Sequence, residues 1–358
     1  MTSDALLLIG TYTSGYAAIG VYLCSLDGAG QVRVRGVCAA DDPSFLVRHP
    51  RLPLAYAVNE APAGHGGVSV LAVDVVQRRI DVRQRVTSGG EAPCHVAIAP
   101  DASGLIVAHY GCGTVRWLGL DKSGQITSET HFVRHVARPV QLVAGSQAGT
   151  SARRRQQASA HPHCVVMRGA FAYVTDLGQD CIVRYVVDPL LGFVERGRCA
   201  IHSGAGPRHL CFAADGRAAY VGNELDNSVS TLTVEADGEL SEREWCSTLL
   251  ADCAQRSAVG ETALHPSGRW LYVSNRGPDA IAWFDVGADG ALQWGGSVPS
   301  AGRHPRHFLV TPDGRQLVVA NRDSDSLVRF RIDEGSGALL EPAVISTAVP
   351  APVCICWA

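Results

Sequence analysis

The sequence predicts an all-β protein, a seven-bladed β-propeller whose blades are four-stranded and antiparallel, with the first blade completed by the C-terminal strand. Three observations predict this fold: a similar segment occurs six times, the copies recur about every fifty residues, and the two ends of the chain carry complementary parts of a seventh copy. A period near fifty with four short strands per repeat is typical of a propeller. No linker divides the 358 residues, so we expect one domain over 1–358.

Each repeat begins with two short apolar strands joined by a turn that is often built on Asp-Gly or Ser-Gly. An alternating third strand and a fourth strand follow. The second strands end in polar pairs whose last residues are 50, 67, 47, 52 and 46 residues apart, at Glu60, Tyr110, Leu177, Glu224, Arg276 and Arg322. The one long interval predicts an insertion at about residues 134–160.

The two termini supply the remaining blade. ALLLIGTY, GVYLCSL and QVRVRGVC near the start match the second, third and fourth strands of a repeat, and APVCICW at the end matches a first strand. A ring must cover the strand edges where its ends meet, because exposed edges pair with other chains. The last strand is therefore expected to complete blade 1.

Composition limits the classes of function. The chain is 46% hydrophobic and carries a formal charge of -3, so it can bury a large core and lacks the basic surface that nucleic-acid binding needs. The opening residues show neither a signal peptide nor a spanning helix, so we expect a cytoplasmic protein without membrane contact. The twelve cysteines have no CxxC pair or zinc-type spacing, and we expect neither metal nor cofactor. A small anionic molecule is the expected partner, and the oligomeric state stays open.

The hairpin geometry predicts a site. The residue that starts the first strand of a blade and the residue that ends the second strand must reach the same mouth of the ring. These positions place His163, Arg208 with Glu224, and Glu261 with Arg276 in three successive blades, and Arg306 and Arg322 in the next. Ionisable side chains gathered in a concave mouth shift one another's pKa values and bind anions, which indicates function.

Several motifs resemble the lactonase family of seven-bladed propellers, which includes propeller-type 6-phosphogluconolactonase and fungal carboxy-muconate lactonizing enzyme. The resemblance runs over nearly the whole chain and is carried by LIGTYTSGYAAIGVY, HPHCVVMRGAFAYVTDLGQD, GAGPRHLCFAADGRAAYVGNEL, ALHPSGRWLYVSNRGPDAIAWFDV and HPRHFLVTPDGRQLVVANRDSDSLVRF. It implies lactone chemistry, with functional residues at a histidine of His161-Pro162-His163, at Arg208, at Glu224 and at Arg276.

Lactone hydrolysis assigns roles to these residues. A water must lose a proton as it attacks the ester carbonyl, and His163 is the expected proton carrier, with His161 as the alternative. Glu224 would orient that histidine, or act as the base if burial raises its pKa. Arg208 and Arg276 would stabilise the oxyanion and the substrate's carboxylate or phosphate. Substrate contacts are also expected from His161, Glu261, Arg306 and Arg322.

Structural interpretations of the same residues stay open. His163 can be a packing histidine, and Arg208 with Glu224 can be only an ion pair. Arg276 can cap its loop through Asp279, and Arg322 can pair with Asp323 or Asp325.

Three functions from different classes remain. The leading one is a hydrolase that opens a sugar-acid lactone, 6-phosphogluconolactone, in the pentose phosphate route. The second is a cycloisomerase or lyase acting on a muconolactone in aromatic catabolism. The third is a non-catalytic propeller scaffold, which predicts a mouth lined by apolar or aromatic side chains.

Overall fold

The structure is a computed structural model that describes residues 5–27, 31–61, 65–136, 156–188, 191–251, 253 and 255–358. Most of the predicted insertion, residues 137–155, lies outside this part of the chain. The described strands form seven four-stranded antiparallel sheets, which confirms the predicted propeller. All twelve cysteines lie in the described ranges as free thiols.

The blades follow one another along the chain. Blade 1 contains β1 (Ala5–Thr11), β2 (Gly20–Leu26), β3 (Val32–Ala39) and the C-terminal strand β28 (Pro352–Trp357). Blade 2 contains β4 (Leu46–Arg48), β5 (Leu54–Asn59), β6 (Gly67–Asp74) and β7 (Arg79–Thr87). Blade 3 contains β8 (Pro93–Ile98), β9 (Gly104–His109), β10 (Thr114–Leu120) and β11 (Ile126–Arg134). Blade 4 contains β12 (Pro162–Arg168), β13 (Phe171–Asp176), β14 (Cys181–Asp188) and β15 (Gly192–Ala200).

The last three blades repeat the same plan. Blade 5 contains β16 (Pro207–Phe212), β17 (Ala218–Asn223), β18 (Ser228–Val234) and β19 (Leu240–Ser247). Blade 6 contains β20 (Ala258–Leu264), β21 (Trp270–Arg276), β22 (Ala280–Val286) and β23 (Leu292–Pro299). Blade 7 contains β24 (Pro305–Val310), β25 (Gln316–Asn321), β26 (Ser326–Ile332) and β27 (Leu339–Ser346). One 3-10 turn, η1 (Arg322–Ser324), follows β25.

The ring closes as the sequence predicts. β28 pairs antiparallel with β1, where Leu8 lies opposite Cys356 and Gly10 opposite Cys354. The strand order of blade 1 is therefore β28, β1, β2, β3. The edge of β1, which an open ring would expose, is covered by the other end of the chain.

Burial follows position within the blade. The second strands of blades 2, 3 and 5 are buried at every residue, because these strands pack between neighbouring blades on both faces. The outermost strands alternate between exposed and buried residues, as in β3 and β7. Strands with two buried faces are continuously apolar and half-buried strands alternate, which is the pattern that made the repeats visible in the sequence.

Tyrosine hydroxyls connect neighbouring blades. Tyr56 of blade 2 donates to the carbonyl of Gly124 in blade 3 at 2.9 Å, and Tyr173 of blade 4 donates to Gly238 in blade 5 at 2.8 Å. Tyr220 and Tyr272 make the same contact with Gly290 and Gly337 of the following blades. Each hydroxyl satisfies a turn carbonyl while its ring fills the core between blades.

Candidate active site

A β-bulge at the start of the first strand places one side chain of each of five blades at the mouth of the ring. In blade 5, Pro207 pairs with Asn223 and His209 with Gly222, so Arg208 between them has no partner on the other strand. A bulge of this kind re-aims the extra side chain. The same register shift occurs in four other blades and gives the equivalent position to Cys94, His163, Arg306 and Val353.

Blade 6 corrects the predicted position of Glu261. Val259 pairs with Asn275 and Thr262 with Val273, so Gly260 and Glu261 together lie opposite one residue. By this register Gly260 is the equivalent of Arg208, and Glu261 is the equivalent of the histidine that follows it. The sequence comparison placed Glu261 one residue too early because blade 6 lacks the proline that marks this position in the other blades.

Arg208, Glu224 and Arg276 form one charged cluster at the mouth. Oε2 of Glu224 lies 3.1 Å from Nε of Arg208 and 2.8 Å from Nη2 of Arg276. Backbone carbonyls hold both guanidinium groups: Arg208 Nη1 donates to Gly260 at 2.6 Å, and Arg276 Nη2 donates to Val259 at 2.6 Å. Nη2 of Arg208 and Nη1 of Arg276 make no hydrogen bond to the described residues, so each has N–H groups available to a ligand.

The charges of this cluster fix the protonation of Glu224. Burial alone would raise its pKa, but the guanidinium groups of Arg276 and Arg208 outweigh that effect and hold the pKa of Glu224 below its ordinary value. Burial, only partly offset by Glu224, lowers the pKa of Arg276 to about 10. At neutral pH all three groups are charged, so the condition for Glu224 to act as a base, a raised pKa, is not met.

His163 lies beside this cluster as a neutral ring. It is buried, its ring centroid is 5.8 Å from that of Tyr110 and 5.5 Å from that of His209, and its Nδ1 has no hydrogen-bond partner. Burial and the nearby Arg208 hold the pKa of His163 well below its ordinary value. A buried ring nitrogen without a partner is costly unless a ligand or water completes it. Among the described residues the Nε2 atoms of His109, His131 and His304 also lack a partner, so the proximity of His163 to Arg208 is what makes it the candidate.

His161 lies at the rim, and both of its ring nitrogens have hydrogen-bond partners. Its Nδ1 is 2.6 Å from the carbonyl oxygen of Tyr110, and its Nε2 is 3.0 Å from the hydroxyl of Ser159. The ring stacks on Tyr110 at 4.3 Å between centroids. Its backbone N–H donates to Asp176 at 2.8 Å. His161 therefore positions Tyr110, and both of its ring nitrogens already have partners. His163, in contrast, has a ring nitrogen without a partner.

Below the mouth lies a layer of histidines that the sequence analysis did not assign. Oε2 of Glu261 lies 2.9 Å from Nδ1 of His209 and 3.1 Å from Nε2 of His307, and its Oε1 accepts the N–H of Thr262 at 3.0 Å. His95 packs against His209 at 5.6 Å between centroids. These three histidines each stand two residues after the first proline of a repeat, in PCH, PRH and PRH, which is the signal that could have found them.

Arg306 and Arg322 occupy different surroundings. Arg306 lies at the mouth, where its Nη2 donates to the hydroxyl of Tyr12 at 2.6 Å. Arg322 begins the 3-10 turn and pairs with Asp323 at 2.6 Å, as one of the structural interpretations expected. Asp279 accepts the N–H groups of Gly277 and His304, so Arg276 is not its partner.

The chain matches the family model described as "Lactonase, 7-bladed beta-propeller" over residues 6–357. It belongs to this lactonase family. A relative from Bacillus subtilis (strain 168) named 6-phosphogluconolactonase is 30% identical over 355 residues, which cover 97% of this chain and 96% of the relative. A protein of the same name from Formosa agariphila is 26% identical and covers 93% of this chain and 94% of its own.

Solved structures agree with this lactonase in fold. A putative 6-phosphogluconolactonase from Bacteroides uniformis superposes with a TM-score of 0.88 at 29% identity, covering all of both chains. A Pseudomonas aeruginosa protein described as a periplasmic gluconolactonase gives a TM-score of 0.86 at 28% identity and covers 99% of each chain. The predicted family, fold and enzyme class are thereby confirmed.

The described ranges of this lactonase contain neither a candidate metal cluster nor a candidate membrane helix. No group of three or more His, Cys, Asp or Glu side chains there could hold a metal ion. Nor does any helix there have the length and apolar character needed to span a membrane.

Proposed function

We propose that this lactonase hydrolyses the lactone of a phosphorylated sugar acid, with 6-phosphogluconolactone as the leading substrate. The observation that carries the proposal is the unpartnered Nδ1 of His163 beside the available N–H groups of Arg208 and Arg276. A proton acceptor and two fixed cations within one mouth are the groups that ester hydrolysis requires. The names of the relatives support the same substrate.

His163 takes the proton from water in this mechanism. Because its pKa lies well below the usual range, the ring is unprotonated at neutral pH and its Nδ1 is free to accept. As the water oxygen bonds to the lactone carbonyl carbon, the carbonyl oxygen gains negative charge. The bond from that carbon to the ring oxygen then breaks, and the ring oxygen takes up a proton to become a hydroxyl group.

Arg208 and Arg276 stabilise the oxyanion. Both are held by backbone carbonyls and by Glu224, so they are aimed before substrate arrives and need little reorganisation. Glu224 keeps the two like charges together and is a positioning group for them. The loss of one such donor typically slows turnover about 100-fold to 1000-fold.

Charge at the mouth favours an anionic substrate over a protein partner. Three guanidinium groups, of Arg208, Arg276 and Arg306, face two carboxylates, of Glu224 and Glu60, which leaves one net positive charge. The scaffold hypothesis predicts an apolar or aromatic mouth, and these charged groups do not fit it. A muconolactone cycloisomerase would use the same arginines for carboxylates, so substrate assays must separate it from a hydrolase.

The test measures acid release from 6-phosphogluconolactone in a pH-stat, corrected for spontaneous hydrolysis, and absorbance loss from carboxymuconate. We expect activity in the first assay only, with losses of about 100-fold or more in kcat for Arg276→Ala and His163→Ala. Arg217→Ala, which changes an exposed ion pair with Asp215, is the matched control. Unchanged turnover in both site variants would refute the site, and activity on carboxymuconate alone would refute the hydrolase.

We also propose a cytoplasmic location, since a phosphate ester does not cross a membrane unaided and its hydrolase must share its compartment. The Pseudomonas aeruginosa neighbour is described as periplasmic, so the location needs its own measurement. Cell fractionation that finds the protein in the periplasm would overturn this proposal and would favour an unphosphorylated lactone.

A further inference from the structure

A second hydrogen-bonded group at the mouth joins three blades across the seam of the ring. Nη2 of Arg306 in blade 7 donates to the hydroxyl of Tyr12 in blade 1 at 2.6 Å, and that hydroxyl donates to Oε2 of Glu60 in blade 2 at 2.9 Å. The Arg306 guanidinium also lies 5.1 Å from the Tyr12 ring centroid. All three side chains are half-buried, so they are held firmly and still reach the mouth.

The repeat places this group at the same level as the Arg208, Glu224 and Arg276 cluster. Tyr12 and Glu60 directly follow the second strands of their blades, as Glu224 does in blade 5. Arg306 is a bulge residue equivalent to Arg208. The two groups therefore line the same opening.

Glu60 differs from Glu224 in its partners. Glu224 forms ion pairs with two guanidinium groups, whereas the carboxylate of Glu60 has one hydrogen-bond partner among the described residues, the hydroxyl of Tyr12. Its charged neighbour, Arg306, lies on the far side of that hydroxyl. Oε1 of Glu60 makes no hydrogen bond within the described part of the chain. An acceptor with a free oxygen remains available to a ligand.

Asp42 fixes both members of this pair from outside the mouth. Its carboxylate accepts the backbone N–H groups of Thr13 and Ser14 at 2.6 and 2.8 Å, directly after Tyr12. Its carbonyl oxygen accepts the N–H of Glu60 at 3.0 Å. Tyr12 and Glu60 are thus held in place before any ligand binds, which is what a specificity group needs.

A carboxylate in a mouth that binds anions is unfavourable unless the ligand supplies hydrogen-bond donors to it. The hydroxyl groups of a sugar lactone are such donors. An unsaturated carboxy-lactone has none at its ring, and its carboxylates would be repelled. A site built to bind a hydroxyl group rejects an analogue that lacks it, because the buried polar group is then left unpaired.

We propose that Glu60, held by Tyr12, accepts hydrogen bonds from the hydroxyl groups of the substrate and selects polyhydroxylated lactones over lactones without hydroxyl groups. This proposal rests on the proposed lactonase function and adds the residue that selects its substrate. Glu60 is a specificity residue in this account, and Tyr12 is a positioning residue that orients it.

The experiment compares two uncharged lactones of the same ring size, glucono-δ-lactone with hydroxyl groups and δ-valerolactone without them. For Glu60→Gln we expect kcat/KM on glucono-δ-lactone to fall about 10-fold to 100-fold, the usual effect of losing a hydrogen bond to a charged group, and kcat/KM on δ-valerolactone to change less than about twofold. Tyr12→Phe should also lower kcat/KM on glucono-δ-lactone and not on δ-valerolactone, but by a smaller factor than Glu60→Gln.

Two variants away from the mouth serve as controls. Tyr220→Phe removes a buried hydroxyl that contacts Gly290, and Glu195→Gln removes an exposed carboxylate beside Arg198. Both should leave the ratio of the two kcat/KM values unchanged. Inhibition of the native protein by gluconate and by pentanoate adds a readout that needs no variant, and gluconate should have the lower inhibition constant.

The outcomes separate the two proposals. Equal losses on both lactones, no loss on either, or equal inhibition by the two acids would overturn the role of Glu60 and leave the lactonase function standing. A native protein that hydrolyses neither these lactones nor 6-phosphogluconolactone would overturn the proposed function, and the role of Glu60 would fall with it.

Discussion

Glu224→Gln changes the charge of the mouth with almost no change in shape. Glu224 is the carboxylate that forms ion pairs with both Arg208 and Arg276, at 3.1 and 2.8 Å, and its side chain is 13% exposed. The glutamine keeps an oxygen but removes the negative charge. Two guanidinium groups are then left close together without the carboxylate that pairs with both.

The expected loss of stability on Glu224→Gln follows from the burial of the ion pairs. Removing one partner of a buried ion pair typically destabilises a protein by about 3 to 5 kcal/mol, because the other charge stays buried without a partner. The mouth is open to solvent and the glutamine still accepts one hydrogen bond, so we expect about 3 kcal/mol. Net charge at the mouth rises from one to two positive charges, so inorganic phosphate should bind more tightly while kcat falls.

Urea unfolding at pH 7 measures the stability, and competitive inhibition by phosphate measures the charge of the mouth. Glu195→Gln is the control, since it breaks an exposed pair whose loss should cost less than about 1 kcal/mol. If Glu224→Gln were as stable as this control, and phosphate inhibition were unchanged, the claim that Glu224 holds two charged guanidinium groups at one site would be wrong.

Two further predictions concern pH. Since burial and Arg208 hold the pKa of His163 well below 6.5, the acid limb of the kcat/KM profile should lie well below pH 6.5, and a half-loss of activity at pH 6.5 or above would contradict the assignment of His163 as the base. His202 lies between Asp226 and Glu242 at 2.6 and 2.8 Å, and although burial alone would lower its pKa, these carboxylates raise it to about 9. The stability that protonated His202 contributes is therefore fully present below pH 6.5 and should be lost as the pH rises to about 9. If the native protein and Asp226→Asn were equally stable to urea at pH 6, this prediction would be wrong.

The architecture could be predicted from the sequence because it repeats. The apolar strand pairs recur at a nearly constant interval, and the termini carry the missing parts of blade 1, so both the number of blades and the seam followed. His163, Arg208, Glu224 and Arg276 were also placed at one mouth, since hairpin connectivity alone brings strand starts and strand ends together.

Whether a given side chain lies at the mouth or in the layer below it could not be predicted, because this depends on how the strands pair. In five blades a bulge turns one residue toward the mouth, and only the paired strands show which residue is extra. In blade 6 the missing proline hid this position, so Glu261 was assigned to the mouth although it lies in the layer of His209 and His307. Arg322 begins a 3-10 turn and pairs with Asp323, one of the two partners that the sequence offers, and only the structure distinguishes between them.

The group formed by Tyr12, Glu60 and Arg306 could be predicted only in part. The sequence places Glu60 at the end of a second strand, but its contacts span residues 12, 60 and 306, and nothing in the local sequence indicates that these three meet. Such contacts arise from ring closure, which brings the two ends of the chain together.

A crystal structure with the hydrolysis product, the open-chain phosphorylated sugar acid, tests the account most directly. We predict that the new carboxylate lies within hydrogen-bonding distance of Arg208 and Arg276 and faces Nδ1 of His163. Product bound on the opposite face of the ring or on its outer wall, with these three side chains unoccupied, would contradict the account.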